Sequence, residues 1–145
     1  MSKYDEIFAS EVQSEQKLNS EEAVAAIIFA AMFAGKEIND EEMEYLNDIL
    51  SDTGVFDSYS PEEIQQTLDK ITDIYNEEGS GVLFNTAINS ISDEFVEIAF
   101  EGAVAVVLAE ENLPEEEESF VNKLQEALDI PEDVAQEIID DFVSA

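Results

Sequence analysis

Ala23-Val-Ala-Ala-Ile-Ile-Phe-Ala-Ala-Met-Phe-Ala34 is a run of twelve residues with no charged side chain. Its apolar groups fall on every side of a helical turn, and a helix with no polar face belongs at the centre of a bundle. The run is too short for a membrane helix, which needs about 18–20 residues. It is therefore read as a core rod around which amphipathic helices pack.

Seventy-five residues further on, the layout recurs. Phe29, Ala30, Met32, Phe33 and Ala34 lead through Gly35-Lys36-Glu37 to Ile38, Glu42, Tyr45, Leu46 and Ile49. Val104, Ala105, Val107, Leu108 and Ala109 lead through Glu110-Glu111-Asn112 to Leu113, Glu117, Phe120, Val121 and Leu124. Two long copies suit one domain of two related halves, because a solenoid needs three or more short units to stabilise itself. The expectation is an all-α single domain over 1–145, with seven or eight helices in two pseudo-symmetric halves, near 20–78 and 92–143. Two buried helices would meet at its centre.

A chain of 145 residues is the size of one ordinary domain. Hydrophobic residues make up 45%, enough for a packed core despite a formal net charge of −32. Residues 1–78 hold twenty acids and four Lys, and 79–145 hold seventeen acids and one Lys, so each part carries −16. The acidity thus belongs to the whole surface and not to a tail. Such a surface repels nucleic acid and anionic lipid across a Debye length of about 8–10 Å.

Missing residue types exclude further chemistry. Cys, His and Arg do not occur. This removes disulfides, thiolate nucleophiles, imidazole bases, Cys- or His-based zinc sites and bidentate phosphate clamps. No positioned nucleophile, phosphate cradle or cofactor fingerprint is present, and the chain is read as a non-enzyme. Met1-Ser-Lys-Tyr-Asp-Glu lacks the basic and apolar regions of a secretory signal, so a cytoplasmic protein is expected.

Along the chain, Tyr4, Ile7, Phe8 and Val12 predict a first helix over 3–17. Ser20 is the expected cap of the helix through Ala34. Asn39 caps the next, which carries Met43, Leu46, Ile49 and Leu50 inward and stops at Thr53-Gly54. Phe56 and Tyr59 lie in a loop and read as lid residues over the core. Ser60-Pro61-Glu62-Glu63 is a capping box with Pro at the first helical position, opening a helix with Ile64, Leu68, Ile71, Ile74 and Tyr75 on its buried stripe. Gly79-Ser80-Gly81 reads as a hinge before a short helix that carries Val82, Leu83, Ala87, Ile88 and Ile91. Ser92 is the expected cap of the second apolar rod, which ends near Ala109 and includes Gly102, where two backbones approach closely. Pro114 and Pro131 open the last two helices.

The acidic turns before Ile38 and Leu113 have a superficial likeness to a calcium loop, since each aliphatic residue precedes a Glu by four positions. Placing Ile38 eighth puts the first, third and fifth ligand positions on Ala31, Phe33 and Gly35; the second copy puts them on Val106, Leu108 and Glu110. Those residues cannot form an oxygen cage. The acids Asp40-Glu41-Glu42 and Glu115-Glu116-Glu117-Glu118 have a sufficient structural explanation, because a helix N-terminus favours negative charge by a few tenths of a kcal/mol each, about 0.3–1. The functional alternative is that the two turns converge on a divalent cation, where oxygen ligands favour calcium, magnesium or manganese.

The repeated element resembles that of the TerB-like tellurite-resistance family, in which an Ala, an Asp-Gly pair, a variable residue and an aliphatic residue precede a Glu by four positions. Here it reads Ala34-Gly35-Lys36-Glu37-Ile38 with Glu42, and Ala109-Glu110-Glu111-Asn112-Leu113 with Glu117. The likeness spans about residues 20–143. Gly35-Lys36 and Glu110-Glu111 stand where the family commonly has Asp-Gly. The resemblance implies a single helical domain, metal binding through Glu42, Glu117 and Glu110, and action beside other tellurite-resistance or stress proteins, at a membrane surface through a partner and without insertion. It makes the leading expectation a stress-response accessory protein with weak divalent-cation binding. The alternative is an acidic protein–protein interaction module with no metal. Like charge over the surface favours a monomer or weak dimer.

Overall fold

A computed structural model describes residues 5–9, 12–33, 38–109 and 114–144. Seven α-helices account for most of them: α1 (Ser20–Phe33), α2 (Asp40–Thr53), α3 (Pro61–Glu78), α4 (Ser80–Ile88), α5 (Val96–Ala109), α6 (Pro114–Leu128) and α7 (Glu132–Ser144). Two 3-10 turns, Asp5–Phe8 and Asp93–Phe95, complete the regular structure, and no strand occurs among the described residues.

α1 is the rod that its composition predicts. Every residue from Ala23 to Phe33 is buried. Around it lie α2, α3, α4 and α5, and against α5 lie α6 and α7. Each central helix thus carries the two helices that follow its own copy of the repeat, α2 and α3 on α1, α6 and α7 on α5. The arrangement departs from two-fold regularity because α4 also covers α1, and the first 3-10 turn packs on α4. Among the described residues α4 has no counterpart in the second half. Phe8 fills this extra layer, its ring 5.1 Å from Phe84 of α4 and 5.8 Å from Phe120 of α6.

The helix ends follow local chemistry. Asn39 accepts the Glu42 N–H at 2.9 Å, and Gly54 terminates α2 with φ 76°, a left-handed conformation that costs Gly no Cβ clash. Ser60 and Glu63 exchange two 3.1 Å bonds in a capping box at the start of α3. Asp129 takes φ 55° between α6 and α7, while the Ile130 N–H reaches back to the Gln125 carbonyl at 3.1 Å and Ile130 is buried. This is a Schellman-type stop built on Asp rather than Gly.

Three expectations are corrected. The helix over 3–17 is not formed among the described residues: Asp5–Phe8 is a single 3-10 turn and residues 12–19 hold no helix. Gln13 to Lys17 offer no apolar side chain, so a helix there would bury nothing and lack the tertiary packing that sustains short helices. The strap is instead held by polar bonds to α3 and α4, with Ser14 N–H donating to Thr86 Oγ1 at 2.7 Å and Asn85 Nδ2 to the Val12 carbonyl at 3.1 Å. Val12 is left 63% exposed.

Asn19, not Ser20, caps α1. Its Oδ1 accepts the Glu22 N–H at 2.7 Å, and Glu22 Oε1 accepts the Asn19 N–H at 2.9 Å. The reciprocal pair requires a spacing of three, which Asn19 and Glu22 have and Ser20 does not. Ser92 precedes the 3-10 turn, but its side chain makes no capping bond and its Oγ is buried without a partner. The tighter 3-10 turn, closed by the Phe95 N–H on the Ser92 carbonyl at 3.0 Å, displaces the geometry that a Ser cap needs.

Candidate functional site: acidic helix starts and the groove between α2 and α3

Glu42 is the third residue of α2 and Glu117 the fourth of α6. Both are half-buried, and both stand in first turns where the backbone dipole favours a carboxylate. Glu110 lies outside the described residues, as does the segment 34–37 that contains Gly35 and Lys36. α2 packs on α1 and α5, and α6 on α5, with no extensive contact between α2 and α6. Among the described residues no group of three or more acids is close enough to hold a metal ion.

A wide concavity lies elsewhere. α2 and α3 are consecutive helices that both rest on α1, yet they make no extensive contact with one another. Between them runs an open groove of about 730 Å³, lined on one side by Asp40, Met43, Glu44, Asn47 and Ser51 and on the other by Pro61, Ile64, Gln65 and Leu68. These positions recur every three or four residues, so each wall is one face of a helix. Leu68 is buried and Met43 and Ile64 are half-buried, giving an apolar floor beneath an acidic lip at Asp40 and Glu44. No basic residue lines it.

Sequence reading placed Met43 and Ile64 inward among core residues. They pack on the core but also form this floor, because the apolar stripes of α2 and α3 are wider than the surface that α1 covers. That surplus width was the available signal. A smaller cleft of about 430 Å³ flanks the other side of α2, where Tyr45, Ile49 and Asp52 face Ile98, Glu101 and Ala105 of α5. Tyr45 is 43% exposed there. This cleft too is lined by acids and by no base.

A polar cluster joins the start of α1 to α3. Lys70 Nζ lies 3.2 Å from Glu22 Oε1 and also donates to the Lys17 carbonyl. Asn19 Nδ2 donates to Tyr59 Oη at 3.4 Å, and the Tyr59 ring stacks edge-on against buried Phe56 at 4.9 Å. Burial, with Glu21, Glu22 and Glu63 nearby, pushes the Tyr59 phenol above its ordinary value, and the Asn19 bond opposes the shift. The lid reading of Phe56 and Tyr59 agrees with this packing.

No helix among the described residues is long and apolar enough to cross a membrane. No family model matches the chain, and no curated protein or solved structure is similar to it at a significant level.

Proposed function

We propose that this chain is a non-catalytic accessory protein of the tellurite-resistance type, acting in a stress response by docking a basic partner protein. The observation that supports the reading is a formal charge of −32 carried outside one packed helical core, with acidic clefts on both sides of α2. A surface of this kind steers cationic proteins by its long-range field and discriminates against acidic ones. The tellurite setting rests on the repeated element alone. Its test is growth of the host under tellurite with the gene deleted: sensitivity restored to wild type by the intact chain supports the setting, and unchanged growth removes it.

A second reading retains a weak divalent cation at the acidic helix starts. The half-buried carboxylates of Glu42 and Glu117, at matching places in the two copies, favour it. Calorimetric titration with calcium, magnesium and manganese separates the two. Stoichiometric heat abolished by Glu117→Gln supports the cation, whereas uptake that salt screens away leaves the docking module alone.

A further inference from the structure

We propose that the α2–α3 groove is the docking site for a basic amphipathic helix of a partner protein, an assignment that rests on the acidic-module reading above. Three features of the groove select that occupant. Its walls are two helix faces, so the concavity has the shape left by a missing neighbour in a helical bundle. From Asp40 to Ser51 the α2 wall rises about 16 Å at 1.5 Å per residue, the length of three helical turns. An extended peptide would find no free sheet edge here, since its backbone groups need a strand partner.

The floor and the rim then specify the helix. Met43, Ile64 and Leu68 form an apolar strip that accepts aliphatic side chains at positions i, i+3 or i+4, and i+7. Met43 adds an unbranched, adaptable side chain suited to such contacts. Asp40 and Glu44 stand along the α2 lip, one helical turn apart, and would meet Lys or Arg on the flanks of the incoming helix. An acidic helix, including any from a second copy of this chain, would instead meet the repulsion of the whole surface, and a neutral one would gain nothing from the rim. The groove therefore takes an apolar stripe edged with positive charge.

The test uses the full chain and a synthetic amphipathic Leu/Lys peptide of about 14 residues, long enough for roughly 21 Å of helix. Its binding is followed by fluorescence anisotropy at low salt. A peptide of identical composition, with Leu scattered around the helix, is the first comparison. Asp40→Asn with Glu44→Gln is expected to weaken the amphipathic peptide about threefold, and Ile64→Gln about tenfold, as rim charges and buried anchors respectively do. Asp133→Asn with Glu137→Gln removes the same charge from the exposed face of α7 and is expected to change affinity by less than about 1.5-fold. Circular dichroism checks that Ile64→Gln remains helical, and the charge pair tests the groove independently of it.

Equal losses from the α2 and α7 charge pairs would overturn the groove while leaving a diffuse acidic docking surface intact. Equal binding of the scattered peptide would overturn the amphipathic helix as occupant. No binding of either peptide at low salt would overturn the acidic-module reading itself.

Discussion

A Cβ placed on Gly102 of α5 would lie 2.5 Å from Cδ1 and 3.0 Å from Cγ1 of Ile28 on α1. At this crossing α5 has no room for a Cβ unless the Ile28 side chain moves. Ile28 is fully buried, so relieving the clash means moving a side chain packed in the core. Gly102→Ala is expected to lower stability by about 1–2 kcal/mol in urea unfolding, since overpacking outweighs the roughly 1 kcal/mol that Ala gains in helix propensity. Adding Ile28→Val removes the offending Cδ1 and is expected to recover part of that loss. A double-mutant cycle with strictly additive costs would refute the contact.

Tyr75 of α3 donates its hydroxyl to the Phe33 carbonyl at 2.9 Å while its ring packs edge-on at 5.4 Å from Phe29. The bond ties α3 to the backbone of α1 at buried Phe33, where loss of the donor costs free energy. Tyr75→Phe keeps the ring and removes the donor. The expected cost is about 1 kcal/mol, read as a lower thermal midpoint with unchanged helix content.

The pH response of Tyr59 has a definite sign. Its phenol titrates above the ordinary value, chiefly because burial disfavours the phenolate. The folded state then holds this proton more tightly than the unfolded state does. Its stabilisation is complete below pH about 10, the unfolded value, and is lost as pH rises through the folded value. Tyr59→Phe should flatten the alkaline fall in stability relative to wild type. The phenolate absorbance missing from the variant's titration should centre above pH about 10; a difference centred at or below it would refute the shift.

Salt should stabilise the fold. With thirty-seven acids against five Lys, repulsion over the surface opposes compaction, and the Lys70–Glu22 pair is partly exposed and contributes little. Raising ionic strength shortens the Debye length from about 10 Å at 0.1 M to about 3 Å at 1 M, which screens the repulsion. The thermal midpoint is expected to climb with sodium chloride before hydration effects of the salt dominate. A midpoint that falls over the same range would mean that attractive pairs outweigh like-charge repulsion.

Much of this architecture is written in local patterns. The two apolar rods, the Asn39 and Ser60 caps, the Gly54 stop and the proline at the start of α3 depend on contacts within one turn, and each is readable from residue type and spacing. The same logic, applied more strictly to the Asn19 and Glu22 spacing, would have located the start of α1. The strap at 12–19 is different, because Ser14 and Val12 find their partners on α4, more than seventy residues away along the chain. A local pattern has no term for such partners.

Sequence alone therefore determined that this protein is a helical domain with two buried rods and a negative exterior, since periodicity and charge are properties of neighbouring residues. Tertiary structure alone decided that α2 and α3 stand apart on α1 and leave an acidic-lipped groove. The gap depends on where α1 holds each helix, and no spacing within either helix encodes the distance between them.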